Sequence, residues 1–99
     1  MEVNTVIAEK SKVKIKKPKQ YKVVMYNDDF TTMEFVVSIL LHIFNKKIEE
    51  ANKIMFDVHK KGRGIAGIYP YDIAVSKLNT TMRISESEGF PLKLTIEEV

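Results

Sequence analysis

The spacing of apolar residues divides this chain into segments of two kinds. Tyr21-Lys22-Val23-Val24-Met25-Tyr26 is β-branched and aromatic, which predicts a strand. Met33, Val36, Val37, Leu40, Leu41 and Phe44 then fall at i, i+3, i+4, i+7, i+8 and i+11 and predict a helix over roughly Thr32 to Phe44. Phe35, Ile39 and Ile43 widen its stripe, so this helix is expected to be largely buried. A second helix is expected over about Lys46 to Lys61, with Asn45 as its cap and Ile48, Ala51, Met55 and Val58 inward, Ile54 beside them. Glu49 and Glu50 suit its first turn, and Lys60-Lys61-Gly62 ends it with cations and a left-handed glycine cap. Arg63 to Tyr69 is short and apolar enough for a second strand. Pro70 suits the start of a third helix over about Tyr71 to Ser87, with a stripe of Ile73, Ala74, Leu78, Met82 and Ile84. After Gly89 and Pro91, Leu92-Lys93-Leu94-Thr95-Ile96-Glu97 alternates and predicts the last strand, with Leu92, Leu94 and Ile96 inward.

The order β-α-α-β-α-β predicts an α+β fold. A single small domain over residues 18–99 is expected, its three-stranded antiparallel sheet covered on one face by helices. Residues 1–17 are expected to be a flexible basic N-terminal extension. Lys12-Val13-Lys14-Ile15-Lys16 alternates and admits an edge strand, but its lysine density repels itself and favours an extended arm. Such an arm is equally readable as a tether to an acidic partner or as a solubilising tail.

Charge sharpens the division. Residues 1–20 carry six lysines against Glu2 and Glu9, a net +4, so the remainder of a chain of net +3 carries −1. The basicity belongs to the leader, which weakens a nucleic-acid reading of the domain. The chain has no cysteine, which excludes a disulfide framework and a thiolate metal site. No apolar run approaches a membrane span, and the N-terminus lacks the pattern of a secretory signal. A cytoplasmic protein is the expectation.

Between the first strand and the first helix stand Asn27, Asp28 and Asp29, three side chains rich in oxygen acceptors. Thr31 and Glu34 follow with the spacing of a capping box, which predicts a rigid helix start. Asn and Asp are favoured in turns for local reasons, so a plain turn is one reading. The other is a cation site. Carboxylates suit magnesium or calcium, but no further acidic cluster completes a shell and the calcium-loop spacing is missing, so no metal is expected. An organic ammonium needs only two or three acceptors. His59, at the end of the second helix and the edge of its apolar face, reads either as a helix-end residue or as a ligand. His42, mid-helix, is expected at the surface. Met33, Val36, Met55 and Val58 are ordinarily core, or the lip of an apolar pocket near the turn. No catalytic constellation emerges: Ser11, Ser38 and Ser76 lack a glycine-flanked elbow, and Gly62-Arg63-Gly64 is no phosphate loop. An Asp28/His59 acid–base pair is the one conceivable hydrolase, and a lysine-led nucleic-acid binder is the other alternative.

Tyr21-Lys22-Val23-Val24, Asn27-Asp28-Asp29-Phe30-Thr31, Met33-Glu34-Phe35-Val36, Ala51, Met55, Val58-His59, Gly62, Gly67, Ala74, Lys77 and Pro91-Leu92 together resemble the ClpS family. Its members are non-catalytic adaptors that deliver proteins with destabilising N-terminal residues to a Clp AAA+ protease. The resemblance implies that Asn27, Asp28, Asp29 and His59 grip a free α-ammonium. It implies that Leu, Phe, Tyr or Trp enters a pocket of Met33, Val36, Met55, Val58 and Leu92, with Met33 gating against β-branched residues. Asp72 and Lys77 match the surface that docks on the N-terminal domain of the unfoldase. The implied partners are that domain and N-degron substrates, with no cofactor, no nucleic acid, no membrane and a monomeric state. Asn79-Thr80-Thr81 and Ser85-Glu86-Ser87 depart from a more alanine-rich third helix, a change expected to cost helix stability.

Overall fold

A computed structural model describes residues 18–99; the expectations for residues 1–17 lie outside the described residues. The elements are β1 (Gln20–Tyr26), α1 (Met33–His42), α2 (Ile48–Lys61), β2 (Arg63–Pro70), α3 (Tyr71–Glu88) and β3 (Lys93–Glu98). The sheet order is β2-β1-β3, and both pairings of β1 are antiparallel. The expected α+β architecture is therefore the observed one. β1 is central and the most apolar strand: Val23 and Met25 join the core that the helices cover. Val24 points the other way yet is 0% exposed, because its register partners Ile65 and Thr95 flank it on both sides. The register slips between Val23 and Val24, whose partners on β2 are Gly67 and Ile65, so Ala66 is an extra residue and is turned into the core.

Both ends of α1 differ from expectation. Its cap is Thr32, whose hydroxyl accepts the Phe35 N–H at 3.1 Å, not a Thr31–Glu34 box. Thr31 is engaged elsewhere, by Asp28. At the other end the helix stops at His42, which is exposed and stands at the helix terminus, not mid-helix. Asn45 does not cap α2. It adopts a left-handed φ of 55°, and Lys46 N–H then reaches back to the Leu40 carbonyl at 3.0 Å. The cap position of α2 falls to Lys47, which offers no side-chain bond, and Ile48, expected inward, is exposed.

The buried face of α3 is also a correction. Ile73 and Met82 are exposed, and the helix instead buries Ala74, Thr81 and Ser85. With part-buried Leu78 these fall at i, i+4, i+7 and i+11, so the period, Ala74 and Leu78 are as expected, while Thr81 and Ser85 take the inward positions in place of Ile73 and Met82. Thr81 satisfies its hydroxyl on the Lys77 carbonyl at 2.8 Å, whereas the Ser85 Oγ has no partner among the described residues. Lys77, half-buried, donates from Nζ to the Ile43 carbonyl at 2.6 Å and lies 5.2 Å from the Tyr69 ring centre and 5.9 Å from that of Phe44. It fastens α3 to the end of α1.

Two substitutions test this packing by urea unfolding. A Cβ on Gly64 would stand 2.9 Å from Val58 Cγ2 and 3.1 Å from the Ile54 carbonyl, so Gly64→Ala should cost about 1–3 kcal/mol. Ser85→Ala removes a buried hydroxyl with nothing to bond and should stabilise by about 1 kcal/mol. A neutral Gly64→Ala or a destabilising Ser85→Ala would contradict the packing described.

Candidate functional site

The acceptor turn begins where the β1–β2 ladder runs out. Tyr26 pairs with Arg63, and one residue further the Asn27 N–H donates to the Gly62 carbonyl at 3.0 Å. Gly62 takes the left-handed conformation, φ 88°, that ends α2. The start of the turn is thereby joined by backbone to the end of the helix that carries His59.

Asp28 then builds the turn from within. Its Oδ1 accepts the backbone N–H of Phe30 at 2.8 Å and of Thr31 at 2.7 Å, and its Oδ2 accepts the Thr31 hydroxyl at 2.7 Å. Burial pushes this carboxyl up, but the Thr31 hydroxyl and the Thr31 and Phe30 N–H groups outweigh it and hold the group below its ordinary 3.8. Asn27 and Asp29 are both exposed, and their side chains make no hydrogen bond among the described residues. Asp28 is a structural carboxylate, whereas the Asp29 carboxylate is exposed and has no hydrogen-bond partner among the described residues. The sequence does not rank the two, and it read Thr31 as part of a capping box and not as the partner of Asp28.

Next to the turn lies a recess of about 260 Å³ lined by Asn27, Asp28, Asp29, Thr31, Met33, Val36, Met55, Val58 and His59. Val36 and Val58, both buried, form its stiff floor, and Met33, 40% exposed, stands at its rim. Eight of the nine expected amine and pocket residues thus converge. Leu92 does not: it is 3% exposed in the core and does not line the recess. Asp72 and Lys77 sit on α3, away from it, with Asp72 exposed and Lys77 bonded to Ile43.

Among the described residues no three His, Cys, Asp or Glu side chains cluster to hold a metal. Oxygen acceptors and one exposed imidazole at one end, over an apolar floor, suit a ligand that is cationic and apolar at once. The arrangement is that of a binding module.

Comparison with known proteins agrees. The family described as "ATP-dependent Clp protease adaptor protein ClpS" matches residues 16–95. The chain is 59% identical over 90 residues to the ATP-dependent Clp protease adapter protein ClpS of Clostridium acetobutylicum, covering 91% of this chain and 89% of that one. It is 45% identical over 97 residues to the protein of that name from Acetivibrio thermocellus, covering 98% of each. Among solved structures, Agrobacterium tumefaciens ClpS2 bound to L-phenylalaninamide is similar with a TM-score of 0.79 at 32% identity, covering 84% of this chain and 100% of that one. The chain belongs to the ClpS family. It is an adaptor of the ATP-dependent Clp protease and not an enzyme. No helix among the described residues is long and apolar enough to cross a membrane.

The role of Asp28 has a pH signature. A carboxyl whose folded pKa is depressed adds stability above its unfolded pKa and loses it as pH falls through the lower folded value. The stability advantage of wild type over Asp28→Asn should therefore be constant above about pH 5 and shrink as acid is added through and below 3.8. Urea titrations of both proteins from pH 6 to acid check this; an advantage independent of pH would remove the carboxylate from the account.

Proposed function

We propose that this adaptor binds proteins by a free N-terminal residue with a large apolar side chain (Leu, Phe, Tyr or Trp) and hands them to a Clp unfoldase in the cytoplasm. The observation that carries the reading is the union, in one small recess, of acceptors held by the Asp28 turn with the floor of Val36 and Val58. Asp29 supplies the charge opposite the α-ammonium, with Asn27 and His59 accepting its remaining N–H groups and Asp28 adding charge while it holds the loop. The ligand named for the Agrobacterium relative, an amino-acid amide with a free amine and an aromatic side chain, has the same two features. The first side chain enters beside Met33 and Met55, whose flexible thioethers adapt to aromatic or aliphatic guests. Met33 at the rim disfavours β-branched residues, which are wide at the point where the chain enters.

The magnitudes are those of a carrier that must release its cargo. Burying one large apolar side chain contributes about 1.5–3 kcal/mol. Two or three charge-assisted hydrogen bonds add roughly 1.5–3 kcal/mol each. After ordering costs, about −6 to −8 kcal/mol remains, which corresponds to micromolar to tens of micromolar affinity. On the unfoldase side, the start of α3 with exposed Asp72 is the surface proposed to dock on the N-terminal domain. Lys77 belongs to the same surface, but its bond to Ile43 means that its removal also loosens the fold.

Fluorescence anisotropy with labelled peptides tests the reading. A peptide with free N-terminal Phe or Leu should bind in the micromolar range, its N-acetylated twin should not, and an Ile-first version should be at least about tenfold weaker. Asp29→Asn should cost about tenfold or more by removing the free charge. Equal binding of the free and acetylated peptides would refute recognition of the amine.

A further inference from the structure

Two methionines of the recess belong to a second concavity as well. Met33 and Met55 also line a second, shallower and largely apolar groove of about 460 Å³ between α1 and α2, which continues past Val37, Ser38, Leu41 and Asn52. Along α1 the floor residues Met33, Val37 and Leu41 are each four apart, one behind the other on the same face, about 6 Å per step. Both helices line it, and polar Ser38 and Asn52 offer hydrogen bonds along its length.

We infer that this groove receives the chain that follows the first residue of a substrate, and that it takes the third and fifth side chains. The inference rests on the N-terminal reading of the recess. A first residue with its amine at the turn and its side chain on the floor continues through its carbonyl, and the groove, which shares Met33 and Met55 with the recess, is the adjoining apolar surface. An extended peptide repeats on one side every two residues, about 6.6–6.8 Å. That matches the 6 Å step of the helix closely enough to set the third side chain near Val37 and the fifth near Leu41. The second and fourth side chains then face away. Ser38 and Asn52 stand where the peptide groups of such a strand need partners.

The consequence is a preference by parity. Hexapeptides beginning with Phe are compared in competition anisotropy, one with Leu at positions three and five, one with Leu at two and four, and one with Ser at all four. L-phenylalaninamide serves as a ligand too short to reach the groove. The odd-position peptide should bind about tenfold tighter than the all-Ser peptide, and the even-position peptide within about twofold of it. Ser38→Arg, at an exposed position of the groove, should abolish the odd-position gain and leave L-phenylalaninamide unchanged. Val37→Asp should do the same, with circular dichroism confirming that each variant is folded. A gain equal at even positions, or one that survives both variants, would overturn the inference while the recess stood. So would wild-type self-association in sedimentation that Ser38→Arg removes, since a second copy would then be the occupant. Loss of unfoldase binding by Ser38→Arg with peptide preference intact would assign the groove to that partner instead. Failure of L-phenylalaninamide to bind wild type would strike the reading of the recess itself, and the groove with it.

Discussion

One backbone hydrogen bond organises the site: the Asn27 N–H on the Gly62 carbonyl, at 3.0 Å. It extends the β1–β2 pairing by one residue beyond Tyr26 and Arg63, and so ties a loop that would otherwise float to the end of α2. The geometry requires Gly62 in the left-handed region, where a side chain would be strained, and Gly64 two residues on, where β2 presses against Val58 and Ile54. With those contacts made, Val58 packs in the core below the turn, and His59 is carried beside it by the helix end, with no side-chain hydrogen bond of its own among the described residues. Two helix ends meet at the recess as a result. The N-terminus of α1 follows the turn, and the C-terminus of α2 adds partial negative charge on the side where a cation would sit.

The two aspartates differ in what they hold. Asp28 uses both oxygens on the turn itself, which fixes the loop before any ligand arrives and lowers the ordering cost of binding. Asp29 stays solvated, where an uncompensated charge costs little. The apolar half of the recess is divided in the same way. Val36 and Val58 are β-branched, buried and stiff, Met55 is buried but unbranched, and the unbranched Met33 stands at the rim.

On the other side of the molecule the same frame is held by polar groups in unusual places. α3 lays small residues, Ala74, Thr81 and Ser85, toward the sheet and covers its length with little bulk. Lys77 joins it to the end of α1 through a carbonyl and two aromatic faces. That contact fixes the far end of α1, the helix whose near end begins the recess. The proposed docking face on α3 and the recess are therefore joined through the two ends of α1.

By itself the sequence determined the order of elements, the antiparallel α+β architecture, the glycine end of α2 and the candidates Asn27, Asp28, Asp29 and His59. These are legible because period, turn chemistry and capping are local properties of a few residues at a time. The resemblance of its motifs joined positions that lie more than thirty residues apart, and the family it pointed to is the one the chain belongs to. Tertiary structure alone decided which aspartate is spent on the loop, that Thr31 serves Asp28 while Thr32 caps the helix, and that Leu92 lies in the core behind the recess. It alone showed that Thr81 and Ser85 are buried where Ile73 and Met82 were expected, and that the recess shares its two methionines with a groove. The reason is physical. Hydropathy says what a side chain prefers, but its burial and its partners depend on which surface another element brings to it, and that is set by packing across the whole chain.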